Sequence, residues 1–184
     1  MLLDAAGRLF IDKGVDAVGL DEIAAEAGAT RVELARHFDG KQALLAALRE
    51  RFVETFCTHL RQAMARCRAD DWSGRLRAWV AAGFDGYLDN VALHDVVFHG
   101  VDTHDRELQR RNPVVDQLTE LLQGGVDARA WVTSDPRMTA IVFFNALHAA
   151  VDHLVAVGAP YERMRAMRIL TGYFERSVQW WKQV

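Results

Sequence analysis

Thr30, Arg31, Glu33, Arg36, His37 and Lys41 crowd one short stretch of the chain, and all but the Glu33 carboxylate have the chemistry of donors to anions. Arg31 suits a base edge or a phosphate, while Arg36, His37 and Lys41 suit phosphate oxygens of a nucleic-acid backbone. Such groups act only when an element holds them in one plane of approach. Leu20, Ile23, Ala24 and Ala27 recur at helical spacing, and Gly28 ends that helix where a positive φ is easily taken up. Thr30-Arg31-Val32-Glu33 then has the form of a capping box, with the Thr hydroxyl and the Glu carboxylate each satisfying a backbone amide. Leu34 and Phe38 face inward, so the spacing predicts a helix-turn-helix whose second helix can lie in a DNA groove.

Residues 2 to 13, LLDAAGRLFIDK, carry Leu2, Ala5, Ala6, Leu9 and Phe10 on one stripe and stop at Gly14, which supplies a supporting first helix. Together the strings LDAAGRLFIDKG, DEIAAEAGAT, LARHF and GKQALL resemble the TetR (tetracycline-repressor-like) family of bacterial transcriptional regulators over roughly the first 50 residues. The resemblance implies an all-α fold, with a helix-turn-helix domain at 1–45 and an effector-binding and dimerisation domain at 46–184. It further implies a cytoplasmic homodimer that binds double-stranded operator DNA and is released as a repressor by a small-molecule effector. Lys41 would hold a phosphate together with amides at the start of the following helix. Where the family has a small residue, a Ser or Thr, and a Tyr in the recognition helix, this chain has Val32, Glu33 and Ala35. Gly19 replaces the usual Ser or Thr before the second helix. These departures remove phosphate-binding hydroxyls and keep open a second reading, an interaction or sensor protein whose operator binding is weakened or lost.

Charge points the same way. Residues 1 to 51 hold seven Lys and Arg against nine Asp and Glu, and no basic arm precedes the first helix, so operator binding is expected to be weak and strongly salt-sensitive. A native extension upstream of Met1 stays open. The start MLLDAAGRLF lacks the basic region and cleavage site of a signal peptide, and no apolar run is expected to be long and uncharged enough to span a bilayer. Cys57 and Cys67 lie ten apart on one predicted helix, about 15 Å along its axis, too far to pair. Free core thiols and a redox sensor are the two readings.

A chain of 184 residues is long enough for a substantial second region. Helices are predicted over Lys41 to Ala69, Arg75 to Leu88 (after a break at Asp70 to Gly74) and Leu93 to Val101. Further helices are predicted after Asn112-Pro113, over 136 to 157, and over Tyr161 to Lys182. The last carries Met164, Met167, Leu170, Phe174, Val178 and Trp181 on one side. In the family the last two helices pack on a second copy as a four-helix bundle. Ala146, Ala149 and Ala150 would permit close approach, the alternative being that one chain covers both faces.

Phe56, Leu60, Trp79, Phe84, Tyr87, Val97, Phe98, Phe144 and His148 are the candidate walls of a ligand chamber, and each is equally at home in a packed core. The excess of aromatic side chains suits a hydrophobic or aromatic effector with one or two polar atoms. His94, His99 and His104 recur every five residues, and His148 and Asp152 have the i, i+4 spacing of metal ligands on a helix. Polar groups bonded in the core or at a dimer seam are the alternative, and no metal or other cofactor is assigned. No Gly-rich phosphate loop, nucleophile elbow or HExxH pair supports an enzyme, and Ser134-Asp135 is accounted for as a helix cap.

Overall fold

The computed structural model describes residues 1–98 and 111–178, so His99 and His104, and Trp181 with the end of the last predicted helix, lie outside the described residues. Among the described residues the chain is all-α, with nine α-helices, one short 3-10 turn and no strand. They fall into two compact units: Met1–Thr55 with the described residues of Asn90–Asp102, and Phe56–Asp89 with the described residues of Thr103–Val184. The first unit thus reaches Thr55 and takes in a later helix.

In the first unit, α1 (Leu2–Lys13) ends at Gly14, whose φ of 83° lets its N–H turn back to the Phe10 carbonyl. Helices α2 (Leu20–Glu26) and α3 (Arg31–His37) follow, with Gly28 at φ 68° between them. Helix α4 (Lys41–Ala65) contributes its first part to this unit and its remainder to the other. Phe10, Ile23, Leu34, Leu44, Leu45 and Leu48 are at most 2% exposed, and α6 (Val91–Val97) closes this core by packing on α1. Burial of each such side chain contributes about 1.5–3 kcal/mol before chain entropy is set against it. Arg49 Nε donates to the Val97 carbonyl at 2.8 Å, satisfying one of the free carbonyls at the end of α6. Phe52, His94 and Phe98 form a ring cluster with centroids 4.7 to 6.4 Å apart.

The second unit is built from the end of α4, α5 (Trp72–Leu88), α7 (Pro113–Asp127), α8 (Pro136–Ala156), the turn Pro160–Glu162 and α9 (Arg163–Ser177). The expected start of α5 near Arg75 is corrected to Trp72, because the Asp71 carboxylate accepts from the Gly74 N–H at 2.8 Å. A Cβ at Gly74 would run into that carboxylate, so the glycine read as a breaker permits the cap. Asn112 and Asp135 cap α7 and α8, each with Pro at the start of the helix. Helix α4 stops at Ala65 rather than Ala69, and α9 begins at Arg163 rather than Tyr161. Helix α6 begins at Val91 rather than Leu93 and ends at Val97.

Phe143 and Phe174 stack at 3.9 Å to join α8 to α9. Arg163 ties α9 to α5 through Asp85 at 2.6 Å and Asp89 at 2.8 Å, and its hydrogen bonds to Asp89 hold that carboxyl below the usual aspartate range. Helix α8 also overturns the expectation about apolar runs. Its 21 residues are long and apolar enough, by length and composition, to cross a membrane, with 28% of the most apolar window buried within the chain. Its inner stripe of Ala140, Phe143, Leu147, Val151 and Leu154 is core, and its outer stripe keeps Met138 and Val142 exposed, so both faces read as apolar.

Gly124 and Gly125 inside α7 are explained by two tryptophans. A Cβ at Gly124 would lie 2.6 Å from the Trp72 ring, and one at Gly125 would overlap Trp131, whose Nε1 donates to the Leu122 carbonyl at 2.8 Å. Because that bond prevents the Trp131 ring from retreating, Gly125→Ala is expected to destabilise the fold by about 1–3 kcal/mol. This is a fall of roughly 2–10 °C in the melting midpoint followed by circular dichroism, and an unchanged midpoint would contradict the packing described.

Candidate nucleic-acid interface and ligand chamber

Helix α3 is fixed at both ends. The Thr30 N–H and hydroxyl donate to Glu33 Oε2 at 2.7 and 2.8 Å, and the Glu33 N–H returns a bond to Thr30 Oγ1 at 3.2 Å, completing the expected capping box. Those donors, the Thr30 amide first, hold the Glu33 carboxyl below the usual glutamate range. The cap is therefore kept above that range and lost as pH falls through the lowered value. Leu34 is the buried residue of α3, and the other residues of the helix are exposed. Thr30, Arg31, Glu33, Arg36 and His37 thus share one accessible element.

The cations around it are largely engaged. Arg31 Nε lies 3.6 Å from Asp21 Oδ1, Arg8 pairs with Glu26 at 3.1 Å, Arg51 pairs with Asp4 at 2.8 Å, and Lys13 pairs with Glu22. Lys41 Nζ donates to the Val15 and Asp16 carbonyls at 2.7 and 3.3 Å, bracing the turn between α1 and α2. An ammonium has three donors, so one stays available to a phosphate. Arg36 has no ion-pair partner among the described residues and stands exposed at the end of α3. Sequence reasoning counted these charges but could not see which were already paired.

The nine candidate chamber residues do not stay together. Val97 is 0% exposed in the core of the first unit, and Phe98 packs against that same core. Both belong to the first unit, where α6, too short to bury anything alone, spends its apolar face on α1. The other seven belong to the second unit. Leu60 and Leu147 converge over Gly83, and Phe56 rests against Gly86. Trp79 and Phe84 are at most 1% exposed, and the Trp79 Nε1 proton has no acceptor among the described residues. Tyr87, Phe144 and His148 cluster with His148 centroids 4.6 and 4.2 Å from the other two rings.

The two residues weighed as metal ligands have other partners. The Tyr87 hydroxyl donates to Asp152 Oδ1 at 2.6 Å, and His148 Nδ1 lies 3.1 Å from the Phe144 carbonyl. Among the described residues no three His, Cys, Asp or Glu side chains come close enough to hold an ion. Cys57 is buried and Cys67 half-buried, both free, and burial pushes the Cys57 thiol up, away from a reactive thiolate.

A cleft of about 590 Å³ opens elsewhere in this unit, between the end of α4, the start of α5 and the start of α7. Arg61, Met64, Cys67, Trp72, Arg75, Asp116 and Gln117 are among its walls, and none of the nine expected residues is. The Arg75 guanidinium sits 4.6 Å over the Trp72 ring, and Gln117 Nε2 donates to the Cys57 carbonyl at 3.0 Å while its Oε1 is buried without a partner among the described residues. No pattern in the sequence marks this cleft, since its walls come from three helix ends distant in the chain.

Residues 2–48 match the model of the bacterial regulatory proteins of the tetR family. The chain is 43% identical over 84 residues to the HTH-type transcriptional activator FasR of Mycolicibacterium smegmatis, a match that covers 46% of this chain and 37% of that protein. The chain therefore spans well under half the length of that relative. Among solved structures, a protein of unknown function from Rhodococcus sp. RHA1 superposes with a TM-score of 0.81 at 22% identity, over 97% of this chain and 94% of that one. FadR of Bacillus subtilis in complex with stearoyl-CoA superposes with a TM-score of 0.76 at 16% identity, over 94% and 95% of the two chains. The helix-turn-helix of residues 20–37 and its supporting first helix lie within the stretch, residues 2–48, that is similar to the bacterial regulatory proteins of the tetR family.

Proposed function

We propose that the chain is a homodimeric, ligand-responsive transcriptional regulator acting in the cytoplasm, a binding protein rather than an enzyme. In this reading it represses by occupying an operator and leaves it when a small hydrophobic or aromatic effector binds. The observation that carries the reading is the exposed α3, capped at Thr30 and anchored by Leu34, within the stretch that matches the tetR family. Thr30, Arg31, Glu33, Arg36, His37 and Lys41 form the DNA-facing set. Glu33 acts in it as the cap of α3, and Arg36 and Lys41 act as phosphate donors.

The effector chamber is assigned to Phe56, Leu60, Trp79, Phe84, Tyr87, Phe144 and His148. The unsatisfied Trp79 N–H supports it, because a buried donor without an acceptor costs about 1–3 kcal/mol and a ligand oxygen would remove that cost. The stearoyl-CoA complex of the Bacillus protein supports a ligand with a long apolar chain for this fold. The Mycolicibacterium relative is named an activator. Repression is proposed here because operator release by an effector needs only a change in the spacing of two heads. Those heads must meet successive major grooves about 34 Å apart, so a modest pivot in each subunit spoils joint docking.

The homodimer is proposed to form through α8 and α9. Met138, Val142 and Ala149 form an exposed stripe on α8, and Ile169 and Tyr173 form one on α9. At micromolar concentration the 20.7 kDa chain is expected to show a solution mass of about 41 kDa by light scattering. Ala149→Glu, at an exposed position of α8, is expected to give the monomer mass with unchanged helicity. A monomeric wild-type chain would count against the dimer.

The operator test is binding of the full-length protein to duplexes flanking its own gene across a salt series. Arg36 and Lys41 from two subunits give about four phosphate contacts, hence a log–log slope near −3.6 and roughly a hundredfold loss of affinity between 50 and 200 mM salt. Absence of selective binding at low salt would favour the reading of a family member that has lost its operator, and a tight affinity indifferent to salt would overturn the contact set.

A further inference from the structure

The face that α3 turns to solvent is more apolar than its sequence of charges implies. Arg31 is drawn to Asp21, and Glu33 is folded over Thr30. Val32 is 63% exposed, and Ala35 and Arg36 are exposed beside it. Residues i, i+3 and i+4 are neighbours on a helix surface, so Val32, Ala35 and Arg36 form one strip: a branched apolar side chain, a methyl and a guanidinium with no ion-pair partner among the described residues. Leu34 supplies the anchoring of this helix with 0% exposure, and Val32 adds nothing to the core.

The major groove offers one apolar feature, the thymine C5-methyl group, and its best partner for an arginine is the O6/N7 edge of guanine. We propose that Val32, with Ala35, reads thymine methyl groups, so that the DNA this chain selects carries T opposite Val32 in each half-site and Arg36 fixes the register alongside. The proposal rests on the DNA-binding reading above. It accounts for Val32 and Ala35 standing where the family has a small residue and a tyrosine: the hydroxyl is replaced by apolar contact that carries sequence information. Each methyl group buried is worth about a fourfold gain in affinity, and one in each of two half-sites about fifteenfold.

The experiment uses the full-length chain. Duplexes are selected from a randomised library at low salt, and each T of the selected duplex is replaced in turn by deoxyuridine, which keeps every hydrogen-bonding group and removes the methyl alone. Wild type is expected to lose about fourfold at one symmetric pair of positions. Val32→Ser, at a position 63% exposed and confirmed as folded by circular dichroism, is expected to bind the T and U duplexes equally. Equal binding of the T and U duplexes by wild type would overturn the inference alone. A penalty that survives intact in both Val32→Ser and Ala35→Ser would do the same. A library that yields no selective duplex would overturn it together with the DNA-binding reading, which separates the two failures.

Discussion

A helix of seven residues has no stability of its own in water, because nucleation costs more than two turns of hydrogen bonds return. Helix α3 exists only through what holds it: the Thr30–Glu33 box at its start and Leu34 sunk into the core made by α1, α2 and the beginning of α4. Everything the N-terminal unit presents to a partner depends on that constraint. The capping box uses two polar side chains that would otherwise be available for contact. Leu34 fixes which face is hidden, so Val32, Ala35 and Arg36 are outward by geometry.

The same economy governs charge. Arg8, Lys13, Arg31 and Arg51 are paired with carboxylates on neighbouring elements, and Lys41 and Arg49 are bonded to carbonyls. Exposed pairs of this kind add little to the stability of a fold, because water screens them and two long side chains must be held in one geometry. They reopen at little cost when a phosphate approaches, whereas Lys41 and Arg49, half-buried against backbone oxygens, hold their places. The paired acids also weaken the positive field that would draw DNA in from a distance.

Local features of the fold were legible in the sequence, and non-local ones were not. The Gly14 stop, the Thr30 box and the Asp135 cap all depend on residues within a few positions of each other, and each is where the pattern puts it. Gly74 was misread because its role depends on the Asp71 carboxylate folding over it, a detail of cap geometry. The packing of Val96 and Val97 on α1 is not legible either, because a short apolar helix does not announce its partner. That α8 is apolar enough for a membrane follows from apolar residues on both of its faces rather than from one continuous run. The cleft was invisible for the deepest reason: Arg61, Trp72 and Gln117 meet only because three helix ends do.

Phosphate contacts bring affinity without information, and base contacts bring information with modest affinity. A head whose cations are mostly engaged with its own carboxylates and carbonyls draws little from the first source. On the proposed reading of a DNA-binding dimer, discrimination would come largely from the second and be multiplied by symmetry, since two half-sites square whatever preference one recognition helix has. An apolar strip on α3 suits that arrangement. A methyl contact is insensitive to salt and to net charge, so it keeps its value on a surface that carries more acids than bases, where an added arginine would first find Asp21 or Glu33 rather than a guanine.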